Sequence, residues 1–262
     1  MPAELIPLGT NGYYPSFGRQ TMSVLLLDRG RALLLDAGTG VGRMSEPEVA
    51  RRLAAHDSLN IVLTHYHLDH VVGLATLLAV WDRPVRLYAP EPPLVDGRPD
   101  EALGLLIAPP LFPRALADYP FPVEVVPYSE SSLEAGGFRL TVRRQRHPGG
   151  SAGLRVDDLI AYCTDTAADP ETVELVRGVP TLLHEVWLDG EEARRSDPAA
   201  FGHASAPQVA RLASEAGVGR LIPIHHHPTR DDAALQRIAT ELREAGAPEV
   251  VLPDEGTVLS LA

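Results

Sequence analysis

The segment Ile61-Val62-Leu63-Thr64-His65-Tyr66-His67-Leu68-Asp69-His70 places four potential metal ligands directly behind a short apolar run. Its apolar and β-branched start is typical of a buried strand. If the chain stays extended through His67, then His65 and His67 point to one side, because side chains alternate along a strand. Asp69 and His70 begin the next apolar run, which places them at a corner between a strand and a helix. This spacing favours a metal centre, with two ligands for each of two ions, over a histidine-rich surface turn.

The pattern His65-x-His67-x-Asp69-His70 resembles the metal motif of the metallo-β-lactamase superfamily, and the later segments are similar to its ribonuclease Z-like, phosphodiesterase branch. The resemblance implies a single domain over residues 1–262 with an α/β fold, a four-layer αββα sandwich in which helices flank two mixed β-sheets. It also implies one or two metal ions between the sheets. Nitrogen and oxygen ligands without thiolate suit zinc, so we expect two Zn²⁺ ions, with Mn²⁺ or iron also tolerated.

Three further residues occupy the places of the family's remaining ligands. His147 follows a predicted strand, Asp165 ends the buried run Leu159–Thr166, and His225 closes the strand predicted over 218–225. The resemblance implies that His147 completes the ligands of the first ion and His225 those of the second. It also implies that Asp165 bridges the two ions, and a shared anion relieves the repulsion between neighbouring cations.

Two points about the ligand set stay open in the sequence. His225 is the first of three consecutive histidines, and His226 and His227 are rivals for its role. Asp36 begins an Asp-x-Gly turn that supports the metal loop in the family, and a simple turn aspartate is an equally good explanation.

The segments around Glu185 and His203 bear on catalysis. His184-Glu185-Val186-Trp187 resembles the His-Glu-Ala-Thr segment of ribonuclease Z-like enzymes, with Val-Trp in place of Ala-Thr, and Gly202-His203-Ala204-Ser205 matches their Gly-His-x-Ser segment. The resemblance implies that His203, assisted by Glu185, contacts the scissile phosphate or protonates the leaving oxygen. Two ions lower the pKa of a shared water to about 7, and Asp69 would orient the resulting hydroxide. We therefore expect a metal-dependent hydrolase of phosphodiesters that attacks through hydroxide bound to both ions.

Composition and charge limit the compartment and the partners. Hydrophobic residues make up 45% and charged residues 22% of the chain, as in ordinary soluble proteins. The formal net charge of −12 disfavours a polyanion such as RNA unless the basic residues cluster. The single cysteine, Cys163, excludes an internal disulfide and a cysteine-ligated zinc site. Without a signal-peptide pattern or an apolar run of membrane-spanning length, we expect a cytoplasmic protein with no membrane partner.

The short connection between His147 and Asp165 bears on the substrate. Only 17 residues, 148–164, separate them, where tRNA-cleaving members of the family insert a tRNA-gripping arm. The missing arm and the net charge favour a small phosphodiester, such as a cyclic nucleotide or a cyclic phosphate. Four arginines near His147 could still bind nucleic acid, although a solvated sheet face is the more common explanation: Arg139, Arg143, Arg144 and Arg146. The alternatives are a tRNA 3′-processing endoribonuclease, a lactonase or carboxylic-ester hydrolase, and a metal-binding sensor.

The remaining patterns predict the elements around this site. The loop after the first strand, 11–15, walls the site, and the proline-rich segment 90–127 is a loop with a short helix that serves as a lid, a dimer contact or an inert excursion. We expect a homodimer. The predicted strands and helices are strands over 4–10, 22–28, 31–36, 84–89, 123–126, 132–135, 138–144 and 249–253, and helices over 46–55, from about 69, 207–216 and 231–245.

Overall fold

The computed structural model describes residues 2–261, in which strands and helices alternate along much of the chain. The strands, in chain order, are β1 (Glu4–Gly9), β2 (Ser23–Asp28), β3 (Arg31–Leu35), β4 (Leu59–Val62), β5 (Val85–Pro90), β6 (Val123–Tyr128), β7 (Ser132–Ala135), β8 (Phe138–Gln145), β9 (Ser151–Val156), β10 (Ile160–Cys163), β11 (Thr181–Glu185), β12 (Arg220–Ile224), β13 (Glu249–Val250) and β14 (Leu259–Ser260). The helices are α1 (Pro47–Leu53), α2 (Leu68–Val71), α3 (Leu77–Val80), α4 (Pro99–Leu106), α5 (Pro170–Val176), α6 (Gly190–Arg195), α7 (Ala206–Glu215) and α8 (Asp232–Glu244). Short 3₁₀ helices cover Thr39–Ser45, Val72–Thr76, Leu116–Asp118 and Pro198–Phe201.

The strands form two seven-stranded mixed sheets of similar design. The first has the order β14-β1-β2-β3-β4-β5-β6 and the second the order β13-β12-β11-β10-β9-β8-β7. In the first sheet, β14, β1, β2 and β3 pair antiparallel, and β3 to β6 pair parallel. In the second, β10 to β13 pair parallel, and β7 to β10 pair antiparallel. The two sheets therefore share one succession of pairings, three antiparallel pairs followed by three parallel pairs.

Three apolar clusters define four layers. The first cluster lies between the sheets and joins residues such as Leu26 of β2 to Phe138 of β8. The second packs the outer face of the first sheet against α1 and the helices after His67, and Leu25 takes part in it. The third packs the outer face of the second sheet against α5, α7 and α8, and contains Cys163. Burial of apolar area drives this packing. The two inner sheets and two outer helix layers confirm the predicted αββα sandwich.

The β2–β3 hairpin explains how one strand serves two of these clusters. Leu25 and Leu26 are neighbours in β2 and point to opposite faces, so one meets the helices and the other meets the second sheet. Both strands are therefore buried on both faces, in agreement with their continuous apolar runs. The turn has φ values of 46° at Arg29 and 79° at Gly30, which is the backbone that a two-residue turn of this hairpin type requires.

The carboxyl ends of the parallel strands carry the polar residues predicted for the site. Asp36 directly follows β3, and His65 follows β4 by three residues. In the second sheet, Asp165 follows β10 by two residues, Glu185 ends β11 and His225 directly follows β12. Side chains at this end of a sheet converge on a common crevice.

Several predicted elements have different bounds. The strand of the motif ends at Val62, so His65 and His67 lie in the loop that leads into α2, and the helix expected over 46–55 is α1, preceded by a 3₁₀ helix. Residues 148–164 hold two strands, because β9 pairs with both β8 and β10. The helix expected in the proline-rich segment is α4. Within residues 2–261, every helix is too short or too polar to cross a bilayer.

Candidate metal centre

Histidine and carboxylate side chains meet in a cleft at the carboxyl ends of the parallel strands. Two sets of ligand atoms, each within 4.8 Å of one another, lie side by side: His65, His67, His147 and Asp165 form the first set, and Asp69, His70 and His225 the second. The structure thus brings together all seven residues that the sequence predicted as ligands, grouped as predicted.

Asp165 stands between the two sets. Its Oδ1 lies 3.4 Å from Nε2 of His147 and 3.9 Å from Nε2 of His65, which belong to the first set. Its Oδ2 lies 3.0 Å from Nε2 of His70 and 3.1 Å from Nε2 of His225, which belong to the second. One carboxylate oxygen therefore faces each set, as a ligand shared by two cations would.

The donor atoms fit divalent ions. Ligands about 2.0 to 2.1 Å from a tetrahedral zinc ion lie about 3.3 to 3.4 Å from one another, and the spacings around Asp165 run from 3.0 to 3.9 Å. The Nε2 atoms of His65 and His70 are buried and form no hydrogen bond with any described residue. Buried polar atoms without a partner cost free energy, and a cation at the centre of each set would give these nitrogens one.

Neighbouring groups hold the opposite ring nitrogens and so aim the histidines. Nδ1 of His70 donates to Oδ2 of Asp36 at 2.9 Å, and Nδ1 of His147 donates to the carbonyl of Gly202 at 3.2 Å. Each bond keeps the proton on Nδ1 and leaves the Nε2 lone pair free to bind a metal ion.

Asp36 anchors the loop that carries His65 and His67. The carboxylate is fully buried and accepts the Thr64 amide at 2.7 Å, the Thr64 hydroxyl at 2.9 Å and the Tyr162 hydroxyl at 2.9 Å. These donors come from the loop after β4 and from β10, and not from the turn of Asp36 itself. Its side chain therefore joins both sheets to the ligand loop, and a simple turn aspartate is excluded.

The charges of the cleft suit metal binding. Burial opposes ionisation of Asp165, but His225 and His70 hold the pKa of its carboxyl well below the usual range. Burial also lowers the pKa of His225, but Asp165 and Asp69 outweigh it and raise that pKa to about 10. Burial lowers the pKa of His65 well below its usual value, so this imidazole is neutral at pH 7. Ionised carboxylates and neutral imidazoles are the forms that coordinate divalent metals, and a metal would replace the protons on the second set.

His203 lies beside the second set and is fixed from two directions. Its Nδ1 donates to Oε2 of the fully buried Glu185 at 2.8 Å, and Glu185 also accepts the Ala204 amide at 2.7 Å. The indole of Trp187 stacks on the His203 ring, with centroids 4.5 Å apart and planes 15° from parallel. Because Glu185 occupies Nδ1, Nε2 is the nitrogen that remains for a substrate. A nitrogen of His203 also groups within 4.8 Å of ligand atoms of Asp165 and His225.

The two rivals of His225 lie elsewhere. His226 is buried and lines a different cavity together with Thr10. His227 packs edge-on against Trp187, with ring centroids 4.6 Å apart. Among the described residues, neither joins a ligand group.

Sequence reasoning missed two contacts in the loop after β1. The Tyr13 amide donates to Oδ2 of Asp69 at 2.7 Å, and Tyr13 has a left-handed φ of 66°. A Cβ at Gly12 would lie 2.5 Å from Cε1 of His225 and 2.7 Å from Cζ3 of Trp187, so only glycine fits there. The pair Asn11-Gly12 was the one signal of this close approach, because glycine permits it.

Besides Tyr13, three acidic or histidine residues at strand ends beside the cleft have a left-handed backbone. The φ values are 57° at Asp36, 51° at Asp165 and 52° at His225. Such a conformation costs about 1 kcal/mol or more for a residue with a side chain, and it occurs preferentially at functional sites. Here it turns the chain sharply at the end of a strand, where these side chains enter the cleft.

The αββα fold and its cluster of histidines and carboxylates at the sheet ends define the class of the protein as a metal-dependent hydrolase with the metallo-β-lactamase fold. A family model described as "Beta-lactamase superfamily domain" matches residues 31–226. The chain belongs to this superfamily, and its relatives favour the ribonuclease Z-like branch.

Similar proteins cover nearly the whole chain. Ribonuclease Z of Methanopyrus kandleri is 26% identical over 307 aligned positions, which cover 99% of this chain and 99% of that protein. The metallo-β-lactamase fold protein YhfI from Bacillus subtilis superposes with a TM-score of 0.78 at 19% identity, covering 99% of both chains. A diphosphatase of the PhnP family superposes with a TM-score of 0.68 at 18% identity, covering 98% of this chain and 97% of that one.

Proposed function

We propose that this protein is a phosphodiesterase with two metal ions that hydrolyses a small phosphodiester, such as a cyclic nucleotide or a cyclic phosphate. The proposal rests mainly on Asp165, whose two oxygens face two separate sets of ligand atoms. The first set would hold one ion, the second set the other, and Asp165 both. Zinc suits these ligands, and when bound the two ions supply an activated water and neutralise the phosphoryl oxygens.

His203 acts at the phosphate and the leaving group. Its Nδ1 stays bonded to Glu185 at 2.8 Å, so the ring keeps one orientation while Nε2 donates to a phosphoryl oxygen or gives a proton to the leaving oxygen. The stack with Trp187 restricts rotation of the ring. The carboxylate of Glu185, held by the Ala204 amide as well, stabilises the positive charge of His203 before the proton is given up.

Asp69 has the position to orient the attacking water. Its Oδ2 accepts the Tyr13 amide at 2.7 Å and lies 3.2 Å from Nε2 of His225. Burial raises the pKa of Asp69, but His70 and His225 outweigh it and hold this pKa well below its usual range. The carboxylate is therefore ionised and can accept a hydrogen bond from water.

The pair of His203 and Glu185 favours phosphoryl over carbonyl chemistry. A lactone or ester carbonyl needs one cation to polarise its oxygen, and a poised water completes the attack. A phosphodiester presents a second non-bridging oxygen that a carbonyl lacks, and this oxygen needs a further hydrogen-bond donor. His203 provides one nitrogen for that purpose, and Glu185 is buried at a cost that only such a partner justifies.

Two observations favour a small substrate over tRNA. Between His147 and Asp165 the chain forms only β9, β10 and short connections, and no arm leaves this part of the described chain. Acidic partners also neutralise the basic strand β8: Arg144 pairs with Asp96 at 3.0 Å, and Arg143 pairs with Asp169 and Glu171. The ribonuclease Z relatives favour the alternative, tRNA 3′ processing.

Parallel assays with the two kinds of substrate distinguish these two functions. Zinc-loaded protein is incubated with 2′,3′-cyclic and 3′,5′-cyclic adenosine monophosphate and, separately, with a tRNA precursor that carries a 3′ trailer. We expect cleavage of a cyclic nucleotide and an intact precursor, whereas efficient trimming of the precursor would overturn the small-substrate proposal. The homodimer and the cytoplasmic location stay predictions, and light scattering tests the first of them.

A further inference from the structure

The cleft above the candidate metal centre has apolar walls. Its volume is about 610 Å³, within the range of about 300 to 1,000 Å³ that small-molecule sites occupy. Histidines and carboxylates line the floor. The walls are five side chains that we call the apolar collar: Tyr13, Leu68, Pro148, Trp187 and Phe201.

Large side chains of the collar are unusually exposed. Tyr13 is 73%, Leu68 64% and Phe201 65% accessible to solvent. They come from three separate segments, the loop after β1, the first residue of α2 and the 3₁₀ helix before His203, so their proximity is a product of the fold. Solvent-exposed apolar side chains that cluster around a cleft indicate a binding surface.

The collar lacks positive charge. The chain has 23 arginines and no lysine, and none of these arginines lies among the residues that line this cleft within residues 2–261. The nearest candidate beside His147, Arg146, lies 3.6 Å from the buried carboxylate of Asp169. Cationic groups for a second phosphate are therefore missing, and the part of the substrate that extends from the metal centre into the collar is uncharged.

We propose that the apolar collar binds the aromatic group, a nucleobase or another aryl ring, of a phosphodiester with a single negative charge. This inference rests on the proposed function, because the phosphate must sit at the metal centre for its substituent to reach the collar. Three of the five residues are aromatic and offer ring faces for stacking, and one face of Trp187 is already covered by His203. Tyr13 and Phe201 are the accessible aromatic surfaces.

Calorimetry on the zinc-loaded protein tests the collar without any turnover. Adenosine 5′-monophosphate and ribose 5-phosphate have the same charge and differ by the adenine. Stacking of one base is worth about tenfold in affinity, so we expect the nucleotide to bind about tenfold more tightly. Phe201→Ala, and independently Leu68→Ala, should weaken binding of the nucleotide and leave that of ribose 5-phosphate unchanged.

Matched controls use equally exposed side chains outside the cleft. Phe17 is 58% and Leu105 76% accessible, and neither lines this cleft. Phe17→Ala and Leu105→Ala should keep the tenfold preference. Phenyl phosphate and cyclohexyl phosphate then separate an aromatic from a merely apolar group, and we expect the phenyl compound to bind more tightly.

The outcomes distinguish this inference from the proposed function. Equal affinity for the nucleotide and ribose 5-phosphate, or for the phenyl and cyclohexyl compounds, would overturn the aromatic occupant, even if the protein cleaves phosphodiesters. A preference that disappears in Phe201→Ala and Leu68→Ala supports the inference, even if diester cleavage fails.

Discussion

Replacing Asp36 with asparagine tests how the second set of ligands is aimed. In the wild-type protein, Oδ1 of Asp36 accepts the Thr64 amide at 2.7 Å, and Oδ2 accepts Nδ1 of His70 and the Tyr162 hydroxyl, both at 2.9 Å. Asparagine keeps one acceptor, which the Thr64 amide requires. Its NH₂ group then faces Nδ1 of His70, and two donors cannot bond to each other. To accept that bond, His70 must move its proton to Nε2, the atom that faces the metal centre.

This change of tautomer lowers the affinity of the second set for a metal ion. Loss of a residue that orients a metal-binding histidine lowers metal affinity about 10- to 100-fold, which is about 1.4 to 2.8 kcal/mol. We expect the loss in the second set only, because the remaining oxygen of asparagine still accepts the Thr64 amide and hydroxyl, which hold the loop of the first set. Elemental analysis after equilibration at fixed free zinc should show the zinc content of Asp36→Asn falling from two toward one per chain, and competition with a chromogenic chelator gives the affinity.

Asp28→Asn is the matched control. Asp28 is also a buried carboxylate, and it pairs with Arg29 and Arg31 in the β2–β3 hairpin, outside the cleft. The Asp28→Asn substitution removes the same charge and should leave both metal ions bound. Two ions bound with wild-type affinity in Asp36→Asn would refute this account of how His70 is oriented.

Three further predictions concern the proposed catalyst, the bridging ligand and the response to acid. His203→Ala should lower kcat about 10²- to 10⁴-fold with unchanged zinc content, and normal turnover would remove His203 from the mechanism. Asp165→Ala should deplete both metal positions in elemental analysis, and full occupancy would contradict its bridging role. Asp169 tests the pH response. Burial opposes ionisation of its carboxyl, but Arg143 holds the pKa of that carboxyl below its usual value. Its contribution to stability is therefore complete above about pH 4 and is lost as the pH falls below that. Asp169→Asn should therefore lower the free energy of unfolding in urea by about 1.5 to 3 kcal/mol at pH 7 and by little near pH 2, and an equal loss at both pH values would contradict the ion pair.

Six of the seven ligand residues follow apolar runs, and the resemblance to the family supplied His147 and the roles of Asp165 and His225. His65, His67, Asp69 and His70 stand within six positions behind one strand, and Asp165 and His225 each follow another. Parallel strands bring their carboxyl ends together, so local patterns here predicted a long-range arrangement. The αββα fold was implied by the resemblance to the family, and the apolar runs agree with it, because their residues face a helix layer on one side and a sheet on the other.

The remaining features depend on contacts that no local pattern encodes. The bond between the Tyr13 amide and Asp69 joins residues 56 positions apart through the backbone, which every residue possesses. The collar gathers side chains from five separate segments, and a lone exposed leucine or phenylalanine has no signature in sequence. Strand β9 was missed because its apolar alternation, Ala152, Leu154 and Val156, is short and contains Gly153, a residue type that is depleted in strands. Pairing with β8 and β10 nevertheless places β9 in the interior of its sheet.

Hydrolysis of bis(p-nitrophenyl) phosphate by the zinc-loaded protein tests the central claim most directly, with a simple lactone and an aryl carboxylic ester assayed beside it. We expect turnover of the diester that disappears on chelation and returns with zinc, and slower turnover of the lactone and the ester. Turnover of the lactone alone, with an inert diester under the same metal loading, would contradict a phosphodiesterase and leave Glu185 and His203 with a structural role.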